Sequence, residues 1–285
     1  MKIIELLGNI QALKLNCGNG LGSVHPHAVY VENEKKPFYL YYTPYPPDPA
    51  ELPFLACSSN GIRFTDECAC NPLIKRGKNN EWDCHHLADI DVLFAKNQWY
   101  MYYAGAKFVK GKKIVSIGVA LSKDGKKWKK YAKNPIMVAE SKYWWEYGTD
   151  NIKAVATPTV IYVNNTFFMY YEAIGKDGIS RIAIAESKDG LRFVKKGIVL
   201  EPHFDWDRYG VNHPFAAIHN DKIILLYIGF DGRCYSLGLA LAEVDDPSNI
   251  IYVSETPILT NRHNIFCNKL YRYISKLRLL GTGFV

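Results

Sequence analysis

The sequence predicts an all-β protein, a five-bladed β-propeller in which four-stranded antiparallel blades surround a central funnel. Three observations lead to this fold: an aromatic-rich composition, a phrase that repeats along the chain, and regularly spaced turn glycines. The chain has 285 residues, among them 20 Tyr, 13 Phe and 6 Trp, and aromatic side chains favour pleated strands. Because repetitive all-β folds of such length form one unit, residues 1–285 are expected to be a single domain.

Four copies of one phrase organise the chain. Each copy has an apolar strand, an aromatic strand and a strand of small residues, and the aromatic strands are FYLYYT (38–43), WYMYYAG (99–105), FFMYYEA (167–173) and IILLYIGF (223–230). Gly61, Gly125 and Gly190 close the first three copies at intervals of 64 and 65 residues. Short strands joined by Gly, Asn and Asp turns are typical of propeller blades.

The two ends of the chain supply a predicted fifth blade. Residues 268–285 read as one or two strands, and KIIELLG or IQALKL near the start adds an outer strand. Together these segments close the ring. A β-sandwich and a six-bladed ring are the alternatives.

Composition excludes several classes of function. The net charge of +7 is scattered over turns without a long basic run, which argues against a nucleic-acid partner. The chain has neither a signal peptide pattern nor a long apolar stretch, which argues against a membrane partner. The seven cysteines are irregularly spaced, so reduced thiols in the cytoplasm are expected. A zinc site at Cys68, Cys70, Cys84, His85 and His86 is a minor alternative, and the oligomeric state stays open.

The candidate site lies where the first strands of the blades begin. In a propeller these strands run along the axis, so residues far apart in sequence converge there. The entry positions are His25, Asp89, Thr157 and His213, with Asp91 two residues further along the second copy. Polar groups on inner strands cost stability unless they have partners. The alternative interpretation is that these polar side chains are solvated groups at the ends of loops and have no role in function.

Tryptophans precede three of these strands, at Trp82, at Trp144 and Trp145, and at Trp206. Flat aromatic faces pack against sugar rings, while acids and amides bind hydroxyls. The tryptophans therefore indicate a carbohydrate groove, with packing between blades as the alternative.

The strings HPHAVYV…FYLYYT, DIDVLF…WYMYYAG…SKDGKKW and ATPTVIYV…FFMYYEA…SKDGLRF resemble those of the five-bladed enzymes of glycoside hydrolase families 43 and 32, across residues 25–245. Related phage and bacterial propellers of uncharacterised activity share a segment like YTPYP at 42–46. The resemblance implies a glycosidase that cleaves a small oligosaccharide or glycoside at the axis, without a cofactor and without a metal.

This chain departs from the acid residues of those families. Family 43 enzymes carry an Asp before the blade-one Pro and a Glu two residues before the blade-three Pro, where this chain has His25 and Ala156. Asp89 matches family 32 and Asp91 matches family 43, so both are expected to be central carboxylates. Cleavage normally needs two carboxyl groups. Asp150, Glu51, Asp205 or Asp207 is the candidate replacement acid, and His25 is a candidate base.

Three further readings stay open. A phosphorylase would need one acid and cations that hold phosphate, for which His25, His213, Lys153, Arg208 and Arg272 are candidates. A non-catalytic glycan-binding propeller is the second reading, and a metal held by His25, His86 and His213 with Asp89 is the third. The predicted catalytic residues are Asp89, Asp91, Asp150 and His25. The predicted substrate-binding residues are Glu51, Trp82, His86, Trp145, Asp207, Arg208, His213 and Arg272.

Overall fold

A computed structural model describes residues 14–16, 23–45, 47, 50–66 and 69–260. Over these residues the chain is built from strands joined by turns, with a single 3₁₀ helix at Trp144–Glu146. The predicted all-β class is confirmed. The predicted strands of residues 268–285 lie outside the described residues.

The first two copies of the repeated phrase each fold as an antiparallel sheet in which consecutive strands pair. The first repeat unit consists of β2 (Ser23–Tyr30), β3 (Phe38–Pro44), β4 (Phe54–Ser58) and β5 (Arg63–Thr65). The second consists of β6 (His86–Ala95), β7 (Gln98–Val109), β8 (Lys112–Ser122) and β9 (Lys129–Lys130). A short strand, β1 (Lys14–Asn16), pairs in parallel with β5. The end of the IQALKL segment, which was expected in the fifth blade, therefore lies at the edge of the first unit.

The last two copies repeat the same pairing. The third repeat unit consists of β10 (Ile152–Val163), β11 (Thr166–Ile174), β12 (Ser180–Ser187) and β13 (Val194–Leu200). The fourth consists of β14 (Gly210–His219), β15 (Lys222–Phe230) and β16 (Tyr235–Glu243), with both β17 (Ile250–Val253) and β18 (Leu259–Thr260) on its outer side.

Neighbouring units are joined at one end of their inner strands. Residues 152–154 of β10 pair in parallel with 113–115 of β8, and Gly210 of β14 pairs with Ser180 of β12. The second, third and fourth units therefore share one 13-stranded hydrogen-bonded network, separate from the five-stranded sheet that contains the first unit.

The core lies between the units. One cluster joins Tyr39, Tyr41 and Leu55 of the first unit to Leu87 and Met101 of the second. Equivalent clusters join the second unit to the third and the third to the fourth. Each sheet thus buries its aromatic strand against the next sheet, which explains why the aromatic phrase repeats.

A tyrosine of each of the first three aromatic strands also bonds to the following unit. The hydroxyl of Tyr41 donates to the Gly125 carbonyl at 2.8 Å and that of Tyr102 to the Gly190 carbonyl at 3.0 Å. Tyr170 donates to the Pro247 carbonyl at 2.7 Å. In the fourth unit the equivalent residue is Leu226, which has no hydroxyl. Leu226 pairs with Phe215 in the same register in which Tyr170 pairs with Thr159. The bond between units is therefore encoded in the first Tyr of each Tyr-Tyr pair.

Within the described part of the chain, Cys57 departs from the expected chemistry. Cys57 is disulfide-bonded, so the expectation of seven reduced thiols is wrong for this residue, whereas Cys70, Cys84 and Cys234 are free thiols. The cytoplasmic location stays a prediction. Within the described ranges, no helix has the length and apolar character needed to span a bilayer.

The Tyr102 hydroxyl is expected to stabilise the contact between the second and third units. Tyr102→Phe removes a buried donor and should lower the free energy of unfolding by about 1 kcal/mol. Tyr209→Phe, at an exposed ring, is the control and should unfold like the unchanged protein. Urea unfolding followed by tryptophan fluorescence measures both, and an unaltered midpoint for Tyr102→Phe would contradict the assignment.

Candidate functional site

The same backbone bulge interrupts all four inner strands. The register between first and second strand shifts at 24–27, 88–91, 156–159 and 212–215. Within these bulges, His25, Asp89, Thr157 and His213 have φ values of 51°, 52°, 45° and 48°. Residues other than glycine rarely adopt this left-handed backbone conformation. A β-bulge also changes the direction in which a side chain points. The four predicted entry positions therefore share one local geometry.

Three of these four side chains meet. His25 Nδ1 lies 2.5 Å from Asp89 Oδ1, and His213 Nε2 lies 3.9 Å from the same oxygen. The two imidazole rings are nearly parallel, with centroids 6.1 Å apart. The structure thus brings together three predicted site residues from three different repeat units.

Glu172 is the acid that the sequence interpretation missed. It lies on β11 directly opposite Ala156, the position where family 43 enzymes carry their acid. The Ser180 hydroxyl donates to Glu172 Oε1 at 2.6 Å, and Thr157 Oγ1 lies 3.4 Å from Oε2. Burial of the carboxyl, reinforced by the negative charge of Asp89, raises its pKa to about 7. Glu172 therefore keeps a proton near neutral pH, as a general acid requires.

The other side of the site contains Glu51, His86 and Lys113. Burial raises the pKa of Glu51, and the charge of Asp89 raises it further while that of His25 lowers it. Burial also lowers the pKa of His86 to about 4, and the neighbouring Lys113 ammonium contributes. His86 is consequently a neutral imidazole at physiological pH. The electrostatic influence of Lys113 on both groups and on Glu172 places its charge at this site.

The β7–β8 hairpin provides an apolar wall beside these groups. Phe108 lies opposite Lys113 in the hairpin register and its ring is 52% exposed. It packs edge-on against His85 at a centroid distance of 4.8 Å, and His85 Nδ1 lies 3.0 Å from His86 Nδ1. An exposed aromatic ring beside acids and imidazoles is a surface suited to a sugar ring.

Asp91 lies deeper and joins the inner strands of neighbouring units. Its carboxylate accepts hydrogen bonds from the Val160 amide at 3.0 Å and from Thr159 Oγ1 at 3.2 Å. His27 Nδ1 lies 3.3 Å from it, and Thr159 Oγ1 also accepts from the Ala216 amide at 3.1 Å. These residues connect β2, β6, β10 and β14, and we call them the inner belt. With 2% exposure, Asp91 has contacts that favour structural support over reaction with a substrate.

Trp82 and Trp206 pack inside their own units. A β-carbon on Gly105 or Gly118 would lie 2.4 and 2.6 Å from the Trp82 ring, and Gly229 and Gly238 hold the same relation to Trp206. Each indole stacks on a tyrosine at centroid distances of 5.6 and 5.7 Å respectively. These contacts favour the packing alternative over the predicted sugar platform. Trp145, which is partly buried, stacks on Tyr143 at 4.8 Å.

A buried acid follows each of these tryptophans, at Asp83, Glu146 and Asp207. Asp83 contacts Lys130 at 2.5 Å, and Glu146 contacts Lys195 at 2.5 Å. Asp207 accepts from the backbone amides of His203 and Phe204, while burial raises its pKa. This repeated Trp-acid pair was missed in the sequence, and its contacts hold the segments that lead into the inner strands of the second, third and fourth units.

The remaining predicted residues lie apart from these contacts. Asp150 is exposed in the loop before β10, and Asp205 is exposed before Trp206. Lys153 donates to Ser141 Oγ at 2.7 Å, and the Arg208 guanidinium lies over the Tyr209 ring at 5.0 Å. Arg272 lies outside the described residues. The structure therefore groups His25, Glu51, His86, Asp89 and His213, and adds Lys113, Glu172 and Ser180.

The sequence did contain a signal for Glu172. Glu172 is the next-to-last residue of the aromatic phrase FFMYYEA, at a position where the other three copies carry Thr43, Ala104 and Ile228. An acid that replaces an apolar or small residue in a repeated buried strand costs stability unless it has a role. Comparing the second strands between copies would have identified it.

The family comparison points to enzymes that act on mannosides. A family model described as beta-1,4-mannooligosaccharide phosphorylase, of the family Glyco_hydro_130, matches residues 135–270. The chain is similar to a 1,2-beta-oligomannan phosphorylase of Thermoanaerobacter sp. (strain X514), with 21% identity over 245 residues, which cover 66% of this chain and 79% of that protein. A Beta-1,2-mannobiose phosphorylase of the same organism is 25% identical over 251 residues, which cover 66% and 80% respectively.

A structural comparison supports the fold. A thermostable family-43 glycoside hydrolase superposes with a TM-score of 0.63 at 22% identity, over 87% of this chain and 78% of that one. The expected likeness to family 43 is confirmed at the level of the fold. The expected resemblance to carbohydrate-cleaving enzymes, phosphorylases included, is confirmed by the relatives.

The two neighbouring aspartates are expected to differ in their effect on stability. Asp91→Asn weakens a carboxylate that accepts bonds from two donors in the inner belt, and should lower the free energy of unfolding by about 1–3 kcal/mol. Asp89→Asn, at a partly exposed site, is the matched control and should melt within a few tenths of a kcal/mol of the unchanged protein. Differential scanning calorimetry compares them. Equal melting temperatures for both variants would refute the supporting role of Asp91.

Proposed function

We propose that this chain cleaves the glycosidic bond of a β-linked mannoside, with Glu172 as the proton donor. The main observation behind this proposal is that the carboxyl of Glu172 has a pKa of about 7 and interacts electrostatically with Asp89. Asp89 lies where three inner strands converge. The names of the relatives supply the substrate class. We further propose that the four repeat units are blades of a five-bladed propeller, and that terminal residues complete the fifth.

Glu172 has the contacts of a general acid. Its oxygens contact the hydroxyls of Ser180 and Thr157, which orient the carboxyl toward the residues of the bulges. Near neutral pH a protonated fraction is available to protonate the oxygen that leaves the sugar. The charge of Asp89 helps to maintain this fraction because two adjacent carboxylates disfavour double ionisation.

Asp89 is the partner that accepts a proton. Glycoside hydrolysis needs a second carboxylate that activates water on the opposite side of the ring. Asp89 is ionisable, partly accessible and in contact with His25, which can share the accepted proton. Water adds to the anomeric carbon, its proton passes to Asp89, and the leaving alcohol takes the proton of Glu172. Hydrolysis is therefore the reaction that the two carboxyl groups support.

Phosphorolysis is the second candidate, and the matches to phosphorylases favour it. Phosphate would then replace water as the group that attacks the anomeric carbon. Lys113 is a cation whose charge acts on Glu51, His86 and Glu172, and the imidazoles of His25 and His213 are further donors. Lys153 and Arg208, which were expected in this role, make other contacts.

Glu172→Gln is expected to reduce the rate of cleavage by about a hundredfold or more, since general acid catalysis contributes roughly 10²–10⁴. The rate of the unchanged protein should fall as the pH rises above about 7, as Glu172 loses its proton. An aryl glycoside with a good leaving group should partly rescue the variant, because its departure needs little protonation. The control is Glu255→Gln, at an exposed residue. Full activity in Glu172→Gln would exclude this role.

The same variant has a predicted effect on stability. The pKa of Glu172 is raised in the folded protein, so the folded state binds more protons than the unfolded state between about pH 4.5 and 7. Its contribution therefore falls as the pH rises through this window, by up to about 3 kcal/mol. His86 has the opposite slope because its pKa is lowered to about 4. The difference in unfolding free energy between Glu172→Gln and the unchanged protein cancels the His86 contribution and should increasingly favour the variant from pH 5 to pH 8.

Hydrolysis, in which water attacks, and phosphorolysis, in which phosphate attacks, can be distinguished by their products. Mannobioses and short mannooligosaccharides of defined linkage should yield free sugars if water attacks, with a rate independent of added phosphate. A sugar phosphate that appears only with inorganic phosphate would establish phosphorolysis. If neither product forms while the same oligosaccharides change the tryptophan fluorescence, the chain binds glycans without cleaving them, and the enzyme proposal fails.

A further inference from the structure

We propose that His25, Asp89 and His213 form a binding site for a divalent transition-metal ion. Each residue offers one ligand atom, and the three atoms lie within 4.8 Å of one another. Two imidazoles and one carboxylate are ligands that suit zinc, cobalt, iron and manganese. The proposal goes beyond sugar cleavage because uptake of an ion can be measured on its own.

The three ligands come from three separate repeat units. Each lies at the left-handed position of its bulge, on β2, β6 and β14 respectively. An ion at about 2.1 Å from each ligand atom requires these atoms to be no more than about 4.2 Å apart. The distances of 2.5 Å and 3.9 Å from Asp89 Oδ1 to His25 Nδ1 and His213 Nε2 lie within this limit.

The evidence for a metal site is the type of side chain at these positions, and not the bulge conformation. Thr157 has the same backbone conformation in the third unit, so the strain belongs to the fold and does not by itself indicate a ligand. What distinguishes the other three positions is that each carries a metal-ligating side chain. Thr157 contacts Glu172 instead.

The surroundings of His213 orient it as a ligand. Its Nδ1 lies 2.9 Å from Asn212 Oδ1, which favours the tautomer with the proton on Nδ1. The lone pair is then on Nε2, the atom that lies 3.9 Å from Asp89 Oδ1. Metal-binding histidines commonly bond in this way through their second nitrogen. His86 was also considered as a ligand from the sequence, but the cluster does not include it.

The cluster is accessible enough to exchange an ion and to bind a further molecule. The side chains of His25, Asp89 and His213 are 9%, 14% and 24% exposed. Three protein ligands leave coordination positions for water or a substrate oxygen, as in catalytic sites. An ion here would polarise a bound water or sugar hydroxyl.

The test uses the full chain after removal of metals with a chelator. Calorimetric titration with Zn²⁺ should show one ion bound per chain, and Co²⁺ should give visible absorption bands that Zn²⁺ displaces. Mg²⁺ should compete poorly because it prefers oxygen ligands. His213→Ala should weaken Zn²⁺ binding by at least about a hundredfold, since loss of a mere supporting partner already costs 10–100-fold.

Matched variants separate this site from incidental binding. His219→Ala, at an exposed histidine, should leave the affinity unchanged. Cys84→Ser should also leave it unchanged, which excludes a thiol site near His85 and His86. Unaltered melting of metal-free His213→Ala shows that the loss is local. Absence of Zn²⁺ and Co²⁺ binding, or binding that survives both His213→Ala and Asp89→Asn, would overturn the proposal.

The outcome is distinguishable from that of the cleavage proposal. Uptake that is lost in His213→Ala supports the metal site even if no oligosaccharide is cleaved. Cleavage by the chelated protein, combined with no metal uptake, supports the carboxylate pair and overturns the metal site.

Discussion

The inner belt is the contact on which the site depends. Asp91 accepts bonds from Val160 and Thr159, Thr159 accepts from Ala216, and His27 approaches from the first unit. A buried carboxylate that has lost its water is costly, and it is stable only where donors replace that water. Here the donors belong to other inner strands, so the hydrogen bonds to the Asp91 carboxylate hold these strands in register. The residue two or three positions earlier in each of these strands is thereby carried to a common point, which is how His25, Asp89 and His213 become neighbours.

Chemistry arises where equivalent positions carry different side chains. The bulge, the tyrosine bonds between units and the buried Trp-acid pairs recur because each unit solves the same packing problem. The second strand of the third unit breaks this pattern with Glu172, where the other units have Thr43, Ala104 and Ile228. Its proton affinity depends on Asp89, which comes from another unit. A function that needs these two coupled groups is therefore a property of the packed units together and is not contained in any one of them.

The sequence predicted the repeat and the converging entry positions because both follow from periodicity. It did not separate Asp89 from Asp91, since two residues on a strand face the same side, and only the bulge between them places one in the site and the other in the belt. Trp82 looked like a sugar platform because sequence does not show that Gly105 and Gly118 lie beneath its ring. Glu172 was missed because the search followed the first strand of each copy, whereas the acid reaches the site from the second. In each case the missing information is a contact between strands, which single-strand patterns do not contain.

Replacement of one acid by another across a strand pair has a physical logic. Opposed residues of an antiparallel pair have β-carbons only about 4.5–5.5 Å apart, so a carboxyl that moves from the position of Ala156 to that of Glu172 reaches nearly the same volume. The new position adds the Ser180 hydroxyl as a donor from the third strand, and that hydrogen bond opposes the rise in pKa that burial causes. The balance of these two effects places the pKa of Glu172 near 7, close to the value at which a general acid works best at neutral pH. A donor that bound more strongly would lower the pKa and leave too little of the protonated acid, while loss of the hydroxyl would raise it and weaken the acid. The Ser180 hydroxyl thus moderates the pKa of Glu172, which burial raises, and would tune the strength of the proposed acid.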